Sequence, residues 1–358
     1  MKVLFWGTPT YAVATLDALV AAGHEPVGAV SQPDRRRGRG AGLVPSPVKS
    51  RALELGIPVF TPQRIRREPE IQQQLAALGA DLSVVVAFGQ ILPTEVLDQP
   101  PLGCWNGHGS LLPRWRGAAP IQWALLEGDP RTGVGIMAME EGLDTGPVLL
   151  ERSLAIGLRE NAEQLSARMA ALTAELFVEA LPRIAAAGNG SRSERWGRLE
   201  LRRQGEEGVR LARPIRKDDL GIDWNRPALD LHRQVMGLYP AALTCRAEAR
   251  LKLRATEPLV LRLADELSPE AAELARRFGV RSGGTDQGDQ APAPGTVLEV
   301  VDGVGLVLAT AGCPLLLREA QLEGKGPSSG QAMVQQLGLR VGDRLGPPSN
   351  TECVVSGR

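Results

Sequence analysis

The run Leu82-Ser83-Val84-Val85-Val86-Ala87-Phe88 most constrains what this 358-residue chain can fold into. Apart from Ser83 its side chains are apolar, so both faces of a strand formed here must be covered. That pattern is typical of a central strand in a parallel sheet, whose faces are packed against helices. The run therefore predicts an α/β architecture with helices on both sides of the sheet.

The segments around this run alternate between strand-like and helix-like patterns. Helices are predicted over 12–22, from Ser46-Pro47 onward, and over 161–187. The predicted strands are Lys2–Trp6, Pro26–Val30, Ile57–Phe60, Gly103–Asn106 and Val134–Met139. This alternation predicts a doubly wound, mostly parallel sheet, with its ligand site beyond the carboxyl ends of the strands.

The second part of the chain has a different character. Short apolar runs at 259–261, 295–301, 305–310 and 315–317 are separated by turns, which predicts a smaller, OB-like β-barrel. We predict a catalytic domain over 1–189, a basic linker over 190–208, a C-terminal domain over 209–345 and a disordered tail over 346–358. The Gly- and Pro-rich stretch 283–294 is predicted to be a mobile loop.

Composition excludes several classes of protein. The formal net charge is zero, so nucleic-acid binding would need a local basic patch. The four cysteines are scattered, which argues against a zinc site and favours a reduced cytoplasmic setting. We expect no metal and no membrane span, since no apolar stretch approaches ~20 residues. Neither a dinucleotide fingerprint nor a phosphate-binding loop is present, which disfavours a dehydrogenase or an ATP-dependent enzyme.

The candidate site lies in Asn106-Gly107-His108, followed 36 residues after the histidine by Asp144 in a glycine-flanked turn. Asn106 and His108 are two residues apart, so in an extended segment they point to the same side. A carboxylate can fix the tautomer of an imidazole and favour its charged form. An amide, an imidazole and a carboxylate together suit acyl-type transfer, in which an oxyanion forms and a proton moves.

Longer motifs give the chain a family resemblance. The run from Asn106 through Ser110-Leu111-Leu112-Pro113 to Arg116-Gly117-Ala118-Ala119-Pro120-Ile121, and the later Glu141-Gly142-Leu143-Asp144-Thr145-Gly146, are similar to signatures of the methionyl-tRNA formyltransferase family. The resemblance is dense over residues 1–185 and thinner to about 345. The wider folate-dependent formyltransferase superfamily shares the Asn, His and Asp set.

The resemblance implies both substrates and the residues that hold them. The formyl donor would be 10-formyltetrahydrofolate and the acceptor methionyl-initiator tRNA, with Asn106, His108 and Asp144 catalytic. The family pattern places folate against Ser110, Leu111, Leu112, Pro113, Phe88, Gly89, Ile91 and Leu92. It places tRNA against Arg35, Arg36, Arg37, Arg39, Lys49, Arg216 and Lys217. Residues 192–217 add nine basic side chains against four acidic ones, which would also favour tRNA.

Other interpretations remain open at this point. A related formyltransferase acting on a sugar-nucleotide amine or on glycinamide ribonucleotide would keep the Asn, His and Asp set. It would need neither the arginine loop, formed by Arg35, Arg36, Arg37 and Arg39, nor the C-terminal barrel. A tRNA-binding protein with an inactive catalytic domain is a second alternative. We take a monomer as the default oligomeric state.

Overall fold

The computed structural model describes residues 1–36, 42–281 and 292–346, which form two compact units. One unit comprises residues 1–120, 131–154 and 166–214; the other comprises residues 121–130, 155–165 and the described residues from 215 onward. The predicted tail over 346–358, except Gly346, and the predicted loop over 283–294, except 292–294, lie outside the described residues.

The strands range from two to ten residues in length. They are β1 (Lys2–Gly7), β2 (Glu25–Val30), β3 (Arg35–Arg36), β4 (Leu43–Val44), β5 (Val59–Phe60), β6 (Leu82–Val86), β7 (Cys104–His108), β8 (Arg116–Gly117), β9 (Arg131–Ala138), β10 (Val148–Ala155), β11 (Leu211–Ala212), β12 (Leu243–Arg246), β13 (Ala249–Pro258), β14 (Val297–Val301), β15 (Gly305–Leu308), β16 (Leu315–Leu322) and β17 (Ser328–Ser329).

The helices range from one turn to seven. They are α1 (Thr10–Ala21), α2 (Pro47–Glu54), α3 (Pro69–Ala77), α4 (Thr94–Leu97), α5 (Pro120–Leu126), α6 (Ala162–Ala186), α7 (Arg192–Arg198), α8 (Ala228–Gly237), α9 (Pro269–Arg281) and α10 (Gly330–Leu337). No helix within the described ranges combines the length and apolar character needed to cross a membrane.

The first unit is built on a seven-stranded sheet with the order β10-β9-β7-β6-β1-β2-β5. β6 is buried along its whole length and pairs in parallel with β1 on one side and β7 on the other. β7 and β9 run antiparallel, so the sheet is mostly but not wholly parallel. The doubly wound prediction is confirmed, including the central place of the 82–88 run.

Local signals account for the first helices. α1 buries Ala12, Leu16 and Leu19 on one face, which is the spacing that turns a helix stripe toward a sheet. Ser46 caps α2, since its Oγ accepts a 3.0 Å hydrogen bond from the Lys49 backbone N–H, and Pro47 follows in the first helical position. The predicted helix start at Ser46-Pro47 is therefore confirmed.

The second unit contains an antiparallel sheet with the order β12-β13-β16-β15-β14, and β17 pairs with β16. Cys245 of β12 bridges to Gly346, and Thr296, at the start of β14, bridges to Arg344. Residues 344–346 thus join the two edge strands and close the sheet into a barrel, which removes unpaired edges. The predicted small β-barrel is confirmed.

The packing of the second unit shows why the strand predicted over 259–261 is wrong. Leucines of β13, β15 and β16 fill the interior together with the buried face of α8. The predicted strand over 259–261 does not form, because β13 ends at Pro258 and residues 261–263 form a 3₁₀ turn. Leu259 is buried against Leu267 and Ala271 under α9. Its apolar side chain therefore packs against a helix and does not mark a strand of the sheet.

The segment predicted as a linker has structure of its own. Residues 190–208 belong to the first unit and include α7, which starts with a capping box formed by Ser191 and Glu194. Further along, Arg202 pairs with Val148 in an isolated bridge. The domain limits at 189 and 209 stay a prediction.

Candidate active site

Strand β7 carries the first two candidate residues to the carboxyl edge of the sheet. Asn106 lies between Val85 of β6 and Met137 of β9, and His108 ends the strand. The glycine between them is required by packing: a Cβ at Gly107 would lie 2.6 Å from Thr173 Cγ2 and 2.8 Å from Phe177 Cε2. α6 therefore presses against the back of the strand while the two polar side chains face the other way.

Asp144 reaches the same place from the loop between β9 and β10. Its backbone is left-handed, with φ of 54°, a conformation that aspartate tolerates better than most residues. One carboxylate oxygen, Oδ1, accepts a 3.2 Å hydrogen bond from Asn106 Nδ2. The other, Oδ2, accepts a 2.8 Å hydrogen bond from the Gly117 N–H and lies 3.6 Å from His108 Nδ1.

The ring of His108 is fixed by a backbone group. Its Nε2 lies 2.9 Å from the carbonyl oxygen of Trp115, and the residue is only 5% exposed. Because a carbonyl oxygen can only accept, Nε2 must carry a hydrogen and donate it. Nδ1 is then the ring nitrogen that faces the Asp144 carboxylate.

Two ionisable side chains near this cluster, Cys104 and Tyr11, stay neutral at neutral pH. Burial raises the pKa of Cys104, on β7, to about 12. Burial likewise raises the pKa of Tyr11 to about 12, although its hydroxyl is hydrogen-bonded to Thr173. Among the described residues there is no group of three or more His, Cys, Asp or Glu able to hold a metal ion.

The residues predicted to bind folate divide by exposure. Ser110 is fully buried and donates from Oγ to the Arg114 carbonyl at 2.6 Å, so it shapes its own loop. Phe88, Leu92 and Leu112 are also buried. Gly89 has φ of 87°, and Leu111 and Pro113 are half-buried. Ile91 is 63% exposed and is the member of this set with the most free apolar surface.

A cavity of about 340 Å³ lies at the carboxyl ends of β1, β2 and β6. Arg35, Phe88 and Gly89 line it, together with Thr8, Gln32 and Ser46. Thr8 and Gln32 both donate to the Phe88 carbonyl, at 2.9 and 3.3 Å. Parallel sheets place ligand sites at this edge, so the cavity fits the position predicted from the strand order.

The basic residues predicted to bind tRNA are placed unevenly. Arg35 and Arg36 are exposed in β3, which pairs with β4, and Arg37 and Arg39 lie outside the described residues. Lys49 is held by Asp34 at 2.8 Å and is half-buried. In the second unit Arg216 and Lys217 are exposed at the start of a 3₁₀ turn.

Sequence reasoning missed several groups around the cluster. The Trp115 carbonyl and the Gly117 N–H are backbone atoms, which no residue pattern reveals. Gln204 donates from Nε2 to the Asp144 and Gly146 carbonyls, and it comes from a polar segment with no periodic signal. Leu143, 52% exposed beside Asp144, could have been suspected as an apolar residue in a glycine-flanked turn.

Comparison with known proteins gives consistent matches. Residues 1–181 match the family described as formyl transferase, and residues 214–338 match the formyl transferase C-terminal domain. A protein of Synechococcus sp. strain RCC307 named methionyl-tRNA formyltransferase is 67% identical, covering 94% of this chain and 100% of the relative. One of the same name from Prochlorococcus marinus strain MIT 9313 is 58% identical, covering 96% and 98%.

Solved structures share the fold at low identity. The sugar 3N-formyltransferase WlaRD, described in the presence of dTDP and 5-N-formyl-THF, aligns with a TM-score of 0.58 at 15% identity, covering 91% of this chain and 99% of that one. HypX from Aquifex aeolicus in complex with tetrahydrofolic acid aligns with a TM-score of 0.56 at 14% identity, covering 95% and 48%. These two likenesses concern the fold alone.

Proposed function

The chain belongs to the formyltransferase family, and from this premise we propose that it transfers the formyl group of 10-formyltetrahydrofolate to the α-amine of methionyl-initiator tRNA. The product, N-formylmethionyl-tRNA, would serve translation initiation in the cytoplasm. Relatives named for this activity align with this chain over nearly their whole length, which supports methionyl-initiator tRNA as the formyl acceptor. The observation that carries the proposal is the cluster of Asn106, His108 and Asp144 at the carboxyl edge of the sheet.

Two groups of the cluster can stabilise negative charge on the formyl oxygen. His108 Nε2 is committed to the Trp115 carbonyl, so a protonated Nδ1 is the ring donor left for the reaction. Asn106 uses one N–H on Asp144 and has a second to offer, because a side-chain amide carries two. Fixed donors of this kind stabilise an oxyanion without reorganising during the reaction.

Asp144 has two tasks in this proposal. Its carboxylate lies beside Nδ1 and orients the imidazole, and it is the group of the cluster able to accept a proton from the attacking amine. A free α-amine titrates near ~8, so a useful neutral fraction exists without a stronger base. When bound, 10-formyltetrahydrofolate supplies the electrophilic formyl carbon and, at N10, a site that takes up a proton as the bond breaks.

The donor fits the residues around the cluster. The edge offers apolar surface at Ile91 and Leu143, and the tight turn at Gly89 exposes backbone groups. We propose that Ser110, Leu111, Leu112 and Pro113 with Phe88, Gly89, Ile91 and Leu92 form the folate pocket. The buried members of this set would act by shaping the loops and not by direct contact.

The tRNA is proposed to bind through local basic patches. Arg35 and Arg36 are exposed on the first unit and Arg216 and Lys217 on the second, with Arg37 and Arg39 completing the predicted arginine loop. Contacts of this kind position a nucleic acid through its phosphates. Because Lys49 is neutralised by Asp34, we expect it to hold the loop in place rather than to bind a phosphate. We propose that the protein acts as a monomer.

The decisive experiment measures formyl transfer from 10-formyltetrahydrofolate to charged initiator tRNA and, in parallel, to a panel of amino sugars. We expect formylmethionyl-tRNA from the wild type and its loss in His108→Ala. His24→Ala, which removes the other histidine of the first unit, is the matched control and should retain the rate. Binding of tRNA and thermal unfolding of both variants separate lost chemistry from lost folding.

The other outcomes each overturn a part of the proposal. A formylated amino sugar without formylmethionyl-tRNA would keep the chemistry and replace the acceptor. No product from any acceptor, with tRNA still bound, would show a binding protein and not an enzyme.

A further inference from the structure

One side chain outside the family signatures holds the loop that carries Asp144. Nε2 of Gln204 donates to the Asp144 carbonyl at 2.8 Å and to the Gly146 carbonyl at 2.7 Å. Its Oε1 accepts a 2.9 Å hydrogen bond from Arg116 Nε. Both amide hydrogens and the amide oxygen are therefore engaged, which fixes the orientation of the side chain.

The loop has a path that needs support from its surroundings. Asp144 has a left-handed backbone, and Gly146 lies so close to β9 that a Cβ there would lie only 1.8 Å from the Ala138 carbonyl oxygen. Left-handed non-glycine residues persist where the surroundings over-determine them. Two donors on the carbonyls of residues 144 and 146 determine the path of the backbone, and with it the direction of the carboxylate.

Gln204 also reaches the segment that orients His108. Its partner Arg116 lies between Trp115, whose carbonyl fixes the histidine ring, and Gly117, whose N–H binds the Asp144 carboxylate. The residues that follow Gln204 also contact this segment. The Arg116 N–H donates to the Arg210 carbonyl, and β11 pairs with β8. One amide thus links the backbone segments that aim the imidazole and the carboxylate.

We propose that Gln204 is a positioning residue for formyl transfer, acting through the backbone of Asp144 and through Arg116. This inference rests on the proposed function. The structural part of the inference holds for any substrate: the two N–H donors of Gln204 hold the loop 142–147 in place. A residue that only fills the surface of this segment would affect neither the loop nor the turnover number.

The test compares Gln204→Ala and Gln204→Glu with Glu206→Gln, an exposed neighbour in the same segment. Gln204→Glu keeps the size and the acceptor for Arg116 but removes both donors to the loop. We expect both Gln204 variants to lower kcat about 10- to 100-fold, since small misplacements of reacting groups cost factors of this size. KM for tRNA should change little, and Glu206→Gln should match the wild type.

A double-mutant cycle with Asp144→Asn tests the route of the effect. If Gln204 acts by placing the Asp144 side chain, Gln204→Ala should cost much less in the Asp144→Asn background than in the wild type. Equal costs in the two backgrounds would overturn the inference, as would a wild-type kcat in Gln204→Ala.

Hydrogen exchange supplies a readout that does not need turnover. Gln204→Ala should speed amide exchange in residues 142–147 while β6 and β7 keep their protection. Unchanged amide exchange in residues 142–147 would refute the role of Gln204 in holding this loop. If the wild type transferred no formyl group, the proposed function would fail while this comparison still decided whether Gln204 holds the loop.

Discussion

At the scale of single residues, the cluster is defined by which of its atoms already have a hydrogen-bond partner within the protein. The Trp115 carbonyl takes His108 Nε2, and the Gly117 N–H takes one carboxylate oxygen of Asp144. Neither backbone group engages His108 Nδ1 or the second N–H of Asn106, the two donors that we propose stabilise the oxyanion. In the proposed reaction these donors would be oriented before any substrate binds.

Asp144→Asn should therefore damage turnover far more than tRNA binding. The amide cannot accept the amine proton, so we expect kcat to fall by about 10²- to 10⁴-fold. Steady-state kinetics with a direct tRNA binding assay measures both effects. Asp302→Asn, in an exposed turn, is the control. Equal losses in turnover and in binding would refute the role assigned to Asp144.

Gly107→Ala tests the packing behind the cluster. The added methyl would lie 2.6 Å from Thr173 Cγ2 and 2.8 Å from Phe177 Cε2, both in α6. Overpacking of this kind costs about 1–3 kcal/mol, so the free energy of unfolding in urea should fall by that amount. Gly197→Ala, which meets nothing within 4 Å in α7, should be neutral or slightly stabilising. Equal stabilities for the two variants would contradict this account.

At the scale of elements, the buried strands of the first unit were the predictable part. β6 and β1 are apolar on both faces, and helices with clear caps or stripes lie between such strands. β13 was not predicted, although Leu251 and Leu253 alternate with Arg250, Lys252 and Arg254. The apolar run after Pro258 was misassigned because a run of three residues has no period that separates strand from helix packing.

The candidate site shows the same division. Asn106, His108 and Asp144 carry side chains whose chemistry is visible in the sequence, and the structure brings them together. The groups that orient them could not be predicted, because they are backbone atoms at residues 115 and 117 and one amide at residue 204. Long-range hydrogen bonds from irregular segments leave no periodic pattern.

Helix α8 gives an element-scale prediction about pH. His232 is buried, with Nε2 2.7 Å from the Leu158 carbonyl oxygen and Nδ1 3.0 Å from Thr256 Oγ1. Burial lowers its pKa, outweighing the hydrogen bonds and the nearby Glu257 carboxylate that favour the charged form. In the unfolded chain the imidazole titrates near ~6.5.

The unfolded state therefore binds the proton first as pH falls, so stability is full above about 6.5 and declines below it. One histidine can change the free energy of unfolding by at most about 1.4 kcal/mol per pH unit. Urea unfolding at pH 8 and pH 5 should show a smaller loss for His232→Asn than for the wild type, since both retain His24 and His108. Parallel losses in the two proteins would exclude His232 as the source.

At the scale of the whole molecule, a formal charge of zero conceals a basic segment at 192–217. Its charge is partly used within the first unit. Arg192 pairs with Asp98, Arg202 with Glu151, and Arg198 donates to the carbonyls of Ala187 and Asn189. The excess of basic residues in this segment therefore overstates the number of cations available to a phosphate backbone.

This distribution favours the arginine loop as a source of the salt dependence of tRNA binding. Each phosphate contact that is lost should lower the slope of log K against log salt by about 1, so Arg35→Ala with Arg36→Ala should lower it by about 2. Lys2→Ala removes a cation at the amino end of β1, on the edge of the seven-stranded sheet opposite the ligand edge, and should leave the slope unchanged. Initiator tRNA binding measured from 50 to 200 mM salt provides the slopes. If the double variant kept the wild-type slope, the phosphate contacts would have to come from other cations, and Arg216 with Lys217 would be the next pair to replace.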